Sequence, residues 1–257
     1  EADRMVNSFI AKKDLDSEMT VVRNEFESGE NNPFRITMQR MAAAAYEWHN
    51  YGKSTIGAKA DLENVPIDRL QAFYRTYYQP DNATLVVAGK FENDDMIKRV
   101  EKYFGVIAKP TRTLQQLYTA EPAQDGERSV TVRRVGDIQL VGAMYHVPAG
   151  SHPDFSSVEV LTEILSANST GRLYKALVEK ELAARTFGFN FQWEEPGVAM
   201  YFAQVDKTAD LEKTKTAMLS TLENITNSAI TDEEVERAKR TLIKNIELSF
   251  NSSEEIA

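Results

Sequence analysis

The sequence predicts an α+β protein in which an antiparallel sheet is covered by helices. Strand patterns come in pairs joined by short turns, such as the pair that meets at Pro196-Gly197. Strands grouped in this way favour antiparallel pairing over the strict strand–helix alternation that is typical of parallel sheets. With 257 residues, 42% of them hydrophobic, the chain is long enough for one large domain or two smaller ones.

Composition excludes several functional classes. The net charge of −9 and the lack of a long basic run argue against nucleic acid as the main partner. The chain has no cysteine, so it has neither disulfides nor a thiolate metal site. No apolar run approaches the ~20 residues that a membrane span needs, so no span is predicted.

The first half of the chain is predicted to be mainly helical. After a break at residues 12–15, a helix runs until the stop signal that ends in Pro33. A later helix carries Phe73, Tyr74, Tyr77 and Tyr78, which we expect to pack inward. The remaining predictions are helices over 1–11, 34–46, 65–78 and 94–104 and a buried strand over 83–88.

The second half is predicted to hold the paired strands and four further helices. Residues 109–124 have little periodicity and two prolines, which indicates a linker between halves. A capping box of Thr231 and Glu234 opens the last helix. The predicted strands are 129–135, 139–147, 186–194 and 198–205, and the predicted helices are 154–166, 171–182, 209–225 and 232–250.

Two glutamates are the first candidates for chemistry. Glu18 and Glu25 stand seven residues apart in a helical pattern, so both lie on one helix face close to Val21 and Val22. Carboxylates beside a packed surface need a cation, a metal or hydrogen bonds to keep their charge. Taken alone, such a pair is typical of solvated glutamates.

A weak internal repeat relates this helix to the last one. Laying Glu18 on Glu234 places Glu25 on Thr241, and helices precede both segments. The match indicates two similar halves, of which only the first keeps both carboxylates. A chance match between two amphipathic helices is the alternative.

The chain as a whole resembles the M16 family of zinc metallopeptidases (insulinase, pitrilysin, mitochondrial processing peptidase), most closely its bacterial tandem-domain members. The matching segments follow the family's order over nearly the whole chain. They are Glu1-Ala2-Asp3-Arg4-Met5, Glu18 to Glu25, Tyr51-Gly52 with Thr55-Ile56-Gly57, Phe73 to Asn82, Leu85-Val86-Val87-Ala88-Gly89, Tyr103-Phe104-Gly105 and Gly171-Arg172-Leu173-Tyr174.

The resemblance implies a fold and a division of the chain. The fold is M16 peptidase-like (LuxS/MPP-like), with halves that are α/β sandwiches. Residues 1–108 correspond to the C-terminal part of the first, zinc-binding domain, residues 109–124 to a linker, and residues 125–257 to a second, inactive domain truncated at its end.

The resemblance also implies site residues. In the family, two histidines of a His-x-x-Glu-His motif and the second glutamate of a later Glu-x(6)-Glu helix hold the zinc. Glu25 is then the third metal ligand, and Glu18 supports a histidine ligand. None of the three histidines, His49, His146 and His152, has the motif's spacing. We therefore expect the motif upstream of Glu1, and no catalytic residue in this fragment.

The function implied is that of a zinc-dependent M16-type metalloendopeptidase, of which this chain is an inactive fragment. Zn²⁺ is expected in the full-length protein and not in the fragment. A peptide substrate and an intramolecular partner domain follow as partners, and a bacterial periplasmic location fits the resemblance. Some relatives supply an Arg and a Tyr to the substrate where this chain has Val178 and Arg185, so substrate-binding residues stay unassigned. The alternatives are a non-catalytic M16-like scaffold or partner subunit and a peptide-binding module without chemistry.

Overall fold

The computed structural model describes residues 1–256, and the chain divides into two compact units. Unit 1 comprises Glu1–Asn31, Ser54–Ala120 and Ser249–Ala257, and unit 2 comprises Asn32–Lys53 and Glu121–Leu248. Within residues 1–256, no helix combines the length and the apolar character that crossing a bilayer requires. The elements are α1 (Ala2–Asn7), α2 (Lys12–Glu30), α3 (Pro33–Ala45), α4 (Lys59–Asn64), α5 (Ile67–Tyr77), α6 (Asn93–Phe104), β1 (Ile138–His146), α7 (Phe155–Ser166), β2 (Arg185–Asn190), β3 (Val198–Asp206), α8 (Leu211–Glu223), α9 (Asp232–Ser249) and α10 (Ser253–Ile256).

Unit 1 is an assembly of helices, and none of its described side chains is fully buried. Polar contacts of α5 hold the start of the chain. The Tyr74 hydroxyl donates to the Arg4 carbonyl at 2.7 Å and accepts from the Ser8 amide at 3.3 Å. Gln71 donates to the Ile10 carbonyl at 2.8 Å. Hydrogen bonds, rather than a closed apolar core, therefore fix the position of α1 against α5.

The expectation that the aromatic residues of α5 pack inward is wrong for three of the four. Phe73, Tyr77 and Tyr78 are 55%, 44% and 57% exposed, whereas Tyr74 is half-buried. Aromatic spacing along a helix does not show whether another element covers those side chains.

The strand expected over residues 83–88 does not form within the described residues. This segment has no regular secondary structure and pairs with no strand, and Leu85 and Val86 are 46% and 54% exposed. A β-prone pattern predicts an extended backbone, whereas a strand also requires a neighbour for its N–H and C=O groups. The break expected at residues 12–15 is also absent, because α2 already begins at Lys12.

Unit 2 is built around a three-stranded antiparallel sheet with the order β1-β3-β2. The register places Phe202 of β3 opposite Gly142 of β1 and opposite Phe187 of β2. A Cβ atom at Gly142 would come within 2.9 Å of the Phe202 ring and 2.7 Å of the Met41 sulfur. Only glycine therefore leaves room for Phe202 and Met41 at this point of the sheet.

Helices cover both faces of this sheet. On one face, Met200 and Phe202 of β3 pack with Phe34 and Met41 of α3. On the other face, the alternate residues of β3 pack with α7, α8 and the turn Tyr174–Val178. Since side chains alternate along a strand, β3 supplies apolar residues to both layers and is buried almost throughout. The antiparallel sheet covered by helices is confirmed.

The predicted elements of the second half are confirmed for β1, β2, β3, α7, α8 and α9, with shifts at their ends. The strand expected at 129–135 is not formed within the described residues, and Val135 is fully exposed. The helix expected at 171–182 is shortened to residues 172–178, of which Tyr174–Val178 form a wide turn. The capping box is confirmed, since the Thr231 and Glu234 side chains each bond the other's backbone amide.

The central position of Phe202 predicts a large loss of stability on truncation. Phe202 is fully buried, with ring centroids of Phe34 and Phe187 at 4.8 and 5.3 Å. We expect Phe202→Ala to lower the free energy of unfolding by about 3–5 kcal/mol, measured by urea titration followed by circular dichroism. Val135→Ala is the matched exposed control and should change it by less than about 0.5 kcal/mol. Equal effects of the two substitutions would contradict the assigned core.

Candidate functional site

The helix α2 separates a packed face from a carboxylate face. Leu15, Met19, Val22 and Phe26 recur at helical spacing and are half-buried, so they form the face that packs within unit 1. Glu18 and Glu25 are exposed and lie along one flank of that face. Val21, which stands between them, is 59% exposed. Of the two valines expected beside the glutamates, Val21 is exposed and Val22 belongs to the packed face, so the carboxylates are open to solvent.

Neither of the two carboxylates is engaged in the part of the chain that the structure describes. Other charged residues of α2 do have partners: Lys12 pairs with Asp16 at 3.1 Å, and Arg23 bonds to Thr20 at 3.3 Å. Within residues 1–256, the side chains of Glu18 and Glu25 make no hydrogen bond or ion pair. Two charged groups beside an exposed valine are available to a cation or to hydrogen-bond donors.

These carboxylates do not form a complete metal site by themselves. Among residues 1–256, no group of three His, Cys, Asp or Glu side chains is placed to hold a metal ion. A catalytic zinc ion needs three protein ligands and an open position for water. The described residues therefore fit zinc only as a partial ligand set.

The three histidines are engaged with nearby backbone. His49 Nδ1 accepts from the Tyr51 amide at 3.2 Å and caps the short turn Asn50–Gly52, as expected for a capping residue. His152 Nδ1 accepts from the Asp154 amide at 3.2 Å. His146 Nε2 lies 3.1 Å from the Ala45 carbonyl oxygen, and His146 and His152 are both exposed.

The helix that matches α2 in the internal repeat has a different arrangement. Glu234, at the start of α9, receives two hydrogen bonds from the guanidinium of Arg172, each 2.8 Å long. The same guanidinium donates to the carbonyl oxygens of Ser228 and Ala229 at 2.9 Å. The bonds from Arg172, with further bonds from Thr231 and against the effect of burial, lower the pKa of Glu234 to about 2. Glu234 is thus locked in an ion pair, whereas Glu18 has no such partner.

The position that matches Glu25 carries no carboxylate. Thr241 bonds through its hydroxyl to the Arg237 carbonyl of its own helix at 3.2 Å. This bond is the common local contact of a helical threonine. Unit 2 therefore has no carboxylate at Thr241, the position that matches Glu25 of unit 1.

Sequence reasoning missed one polar network, which holds the end of α3. The Glu121 carboxylate accepts from the backbone amides of Glu47, Trp48 and His49 at 2.7, 3.0 and 2.9 Å. Burial works against the charge, but these three amides outweigh it and lower the pKa of Glu121. Arg128 adds bonds to the Ala44 carbonyl and the Glu47 carboxylate. Glu121 lies in the predicted linker, and no local pattern indicates a contact more than seventy residues away.

The chain is similar in sequence to a family of peptidase domains and to several known proteins. The model of the family described as "Peptidase M16 inactive domain" matches residues 64–242. The chain is 26% identical over 231 residues to the zinc protease PqqE of Helicobacter pylori, covering 89% of this chain and 52% of that protein. It is also 25% identical to core protein I of the Euglena gracilis ubiquinol-cytochrome-c reductase complex, over 65% of this chain and 33% of that protein. This chain thus spans about half the length of PqqE.

A solved structure shows the same fold. The crystal structure of a protease from Helicobacter pylori superposes with a TM-score of 0.93 at 25% sequence identity, covering 99% of this chain and 63% of that one. The expected M16 peptidase-like fold is confirmed by this superposition.

The ion pair of Arg172 and Glu234 predicts an acid-sensitive contribution to stability. A carboxyl whose folded pKa is depressed stabilises the fold above its unfolded pKa, near 4.5, and loses that contribution as pH falls towards 2. We expect Glu234→Gln to cost about 2 kcal/mol at pH 7, since solvent screens part of the interaction.

The difference in unfolding free energy between wild type and variant should shrink steadily as the pH is lowered from 5 to 2. Urea titrations at several pH values measure it. Glu236→Gln, on the same helix but with an exposed side chain, is the control and should show no such trend. A pH-independent cost of Glu234→Gln would contradict the role of the charge.

Proposed function

The chain belongs to the peptidase M16 family, and we propose that it is part of a zinc-dependent metalloendopeptidase in which Glu25 ligates the metal. Its similarity to the zinc protease PqqE supports the reaction class. The observation that carries the residue assignment is the open carboxylate face of α2, where Glu18 and Glu25 have no partner within residues 1–256.

The described residues supply only part of a zinc site. A catalytic zinc ion needs three protein ligands, and Glu25 supplies only one. We therefore assign the other ligands and the general base to polypeptide outside these 257 residues. The expected His-x-x-Glu-His motif is the donor set that would complete Glu25. When bound, zinc makes a coordinated water acidic enough to attack a peptide carbonyl near neutral pH.

Glu18 is proposed to position a histidine rather than to touch the metal. Histidines that bind zinc through one ring nitrogen usually donate the other N–H to a carboxylate, which fixes the ring and its tautomer. Glu18 stands about two helical turns from Glu25 on the same face, so it reaches a neighbouring helix beside the metal rather than the metal's own position.

The helix α9 is proposed to belong to the non-catalytic half of the protein. Its Glu234 is bound by Arg172, and Thr241 takes the place of a ligand. This agrees with the inactive-domain family model, which includes these residues except at the end of the helix. The two halves of the protein would then differ at the matching carboxylates: Glu234 is paired with Arg172, whereas Glu18 has no partner within residues 1–256.

A second candidate function is a non-catalytic subunit that uses the same fold as a scaffold. The similarity to core protein I, whose name describes a component of a respiratory complex, favours it. Under this alternative the carboxylates of α2 remain solvated and no zinc is bound. Zinc content of the full-length protein separates the two candidates.

We expect the full-length protein to bind one zinc ion per chain and to lose it on Glu25→Gln substitution. Glu18→Gln should keep the metal but weaken its binding by about 10- to 100-fold, because the supporting carboxylate is removed. Glu27→Gln, an exposed glutamate of the same helix, is the matched control and should leave binding unchanged. Metal analysis by mass spectrometry and competition with a zinc chelator give these values.

Two results would overturn the assignments. Unchanged zinc content in Glu25→Gln would remove the ligand role, and an effect of Glu27→Gln equal to that of Glu18→Gln would reduce Glu18 to a surface charge. A full-length protein without zinc in all variants would favour the scaffold. The 257-residue chain alone is expected to bind no stoichiometric zinc.

A further inference from the structure

A short turn in unit 2 depends on the uncharged form of a histidine. His49 Nδ1 accepts the Tyr51 amide hydrogen at 3.2 Å, and this bond caps the turn Asn50–Gly52. A backbone N–H can only donate, so Nδ1 has to present its lone pair. Protonation places a hydrogen on both ring nitrogens, and two donors would then face each other across this distance. The cap therefore exists only while His49 is neutral.

Tyr51, the residue that this cap holds, also contacts the loop between β2 and β3. The centroid of its ring lies 4.1 Å from that of the His49 ring and 4.2 Å from that of the Trp193 ring. The Tyr51 hydroxyl accepts from the Glu195 amide at 3.3 Å. His49, Tyr51 and the loop 191–197 are thus connected by a continuous series of contacts within unit 2.

A second attachment of the same loop does not depend on His49. The Tyr46 hydroxyl donates to the Pro196 carbonyl at 3.1 Å, and burial raises the pKa of Tyr46, so this phenol stays protonated. Gly52 packs directly on Tyr46, since a Cβ atom at Gly52 would come within 2.9 Å of the Tyr46 Cβ. Loss of the histidine cap is therefore expected to loosen the loop around Trp193 without detaching it.

The fixed charges around this turn do not change in the pH range where histidines titrate. The Glu121 carboxylate accepts from the His49 amide at 2.9 Å. Burial opposes its charge, but three backbone amides lower the pKa of Glu121, so it stays ionised. Arg128 is paired with Glu47. The other charged groups of these segments are exposed to solvent, and they are Lys53, Asp125, Glu127, Glu194 and Glu195.

His146 changes charge in the same range, but its contact survives protonation. Its ring centroid lies 5.0 Å from that of Tyr46, and its Nε2 lies 3.1 Å from the Ala45 carbonyl oxygen. A carbonyl oxygen only accepts, so Nε2 donates, and the protonated ring keeps this hydrogen bond. His146 therefore provides a histidine of the same cluster without a proton-dependent cap.

His152 forms a second capped turn near the same loop. Its Nδ1 accepts from the Asp154 amide at 3.2 Å, and Gly150 donates to the Trp193 carbonyl at 2.8 Å. When His152 is protonated, the Asp154 carboxylate, 3.8 Å from Nδ1, is at hand to balance the new charge. His152 is the competing origin of a pH response at Trp193, and the experiment has to separate the two turns.

We propose that His49 is a pH-sensitive switch whose protonation releases the cap of the turn Asn50–Gly52 and loosens the loop 191–197. The imidazolium turns away from the Tyr51 amide, because two donors cannot share one hydrogen bond. The Tyr51 ring then leaves Trp193. The switch does not rest on the zinc chemistry, since every residue involved lies in unit 2 and none is a proposed metal ligand.

The test is the pH dependence of tryptophan fluorescence, because the chain has only two tryptophans. Trp48 is 70% exposed, so the variant Trp48→Phe leaves Trp193 as the reporter. We expect the emission of Trp193 in this variant to shift to longer wavelength as the pH falls from about 8 to about 5, since its ring loses the cover of Tyr51. Far-ultraviolet circular dichroism should stay constant over this range, which separates the switch from unfolding.

His49→Asn, made in the Trp48→Phe background, tests the cap without removing it. The asparagine side-chain oxygen accepts the amide hydrogen two residues further on, as His49 does, but it does not titrate. We expect this variant to keep the high-pH emission throughout the titration. His152→Asn and His146→Gln are the matched controls, and both should keep the full shift.

Emission that stays constant between the two ends of the titration would overturn the proposal, as would an undiminished shift in His49→Asn. A shift that His152→Asn removes would assign the response to the second capped turn, and one that His146→Gln removes would assign it to the contact with Ala45. Either result would overturn the role of His49. The titration of Trp48→Phe itself needs no substitution in the turn, so it decides the first point even where a histidine variant folds poorly.

Discussion

The burial of β3 on both of its faces is the constraint on which the rest of unit 2 depends. A strand covered on two sides has to present apolar residues at every position, and residues 198–205 of β3 do so almost without interruption. Its alternate side chains then fix which helices lie on which face. Phe202 packs against α3, whereas Tyr201 and Ala203 pack on the opposite face with α7 and α8. Gly142 on the neighbouring strand is small because Phe202 and Met41 occupy the space beside it.

The two matching helices, α2 and α9, show how one sequence pattern leads to different chemistry. Each carries one glutamate of the matched pair, Glu18 or Glu234, and an apolar stripe along one side. In α9 an arginine reaches the glutamate and neutralises it with paired hydrogen bonds, so that carboxylate contributes to stability. In α2 the glutamates keep their full capacity for an external cation. The difference arises from Arg172, which lies 62 positions from Glu234 in the chain.

The sequence predicts local features of this protein well and long-range ones poorly. Caps, turns and helix faces depend on neighbours within a few residues, so Thr231 with Glu234 and the shared face of Glu18 and Glu25 follow from spacing. Residues 83–88 and 129–135 have the composition of strands, but pairing depends on a partner that composition does not identify. The same limit applies to Glu121, whose three amide contacts lie more than seventy residues away. The metal role proposed for Glu25 comes from the family resemblance, because spacing alone indicates only that two glutamates share a helix face.

The contacts of Glu121 have a topological consequence. Residues 54–120 leave unit 2 after Lys53 and return to it at Glu121, so this part of unit 1 is an insertion within unit 2. The carboxylate of Glu121 accepts hydrogen bonds from the amides of residues 47–49. These bonds link the chain just before the insertion to the chain just after it. Bringing the two ends of a long insertion together costs conformational entropy, and this cost grows only slowly with the length of the insertion. The hydrogen bonds of Glu121 offset part of it. Unit 2 can therefore tolerate variation in the length of the inserted segment, because the Glu121 hydrogen bonds hold its two pieces together directly.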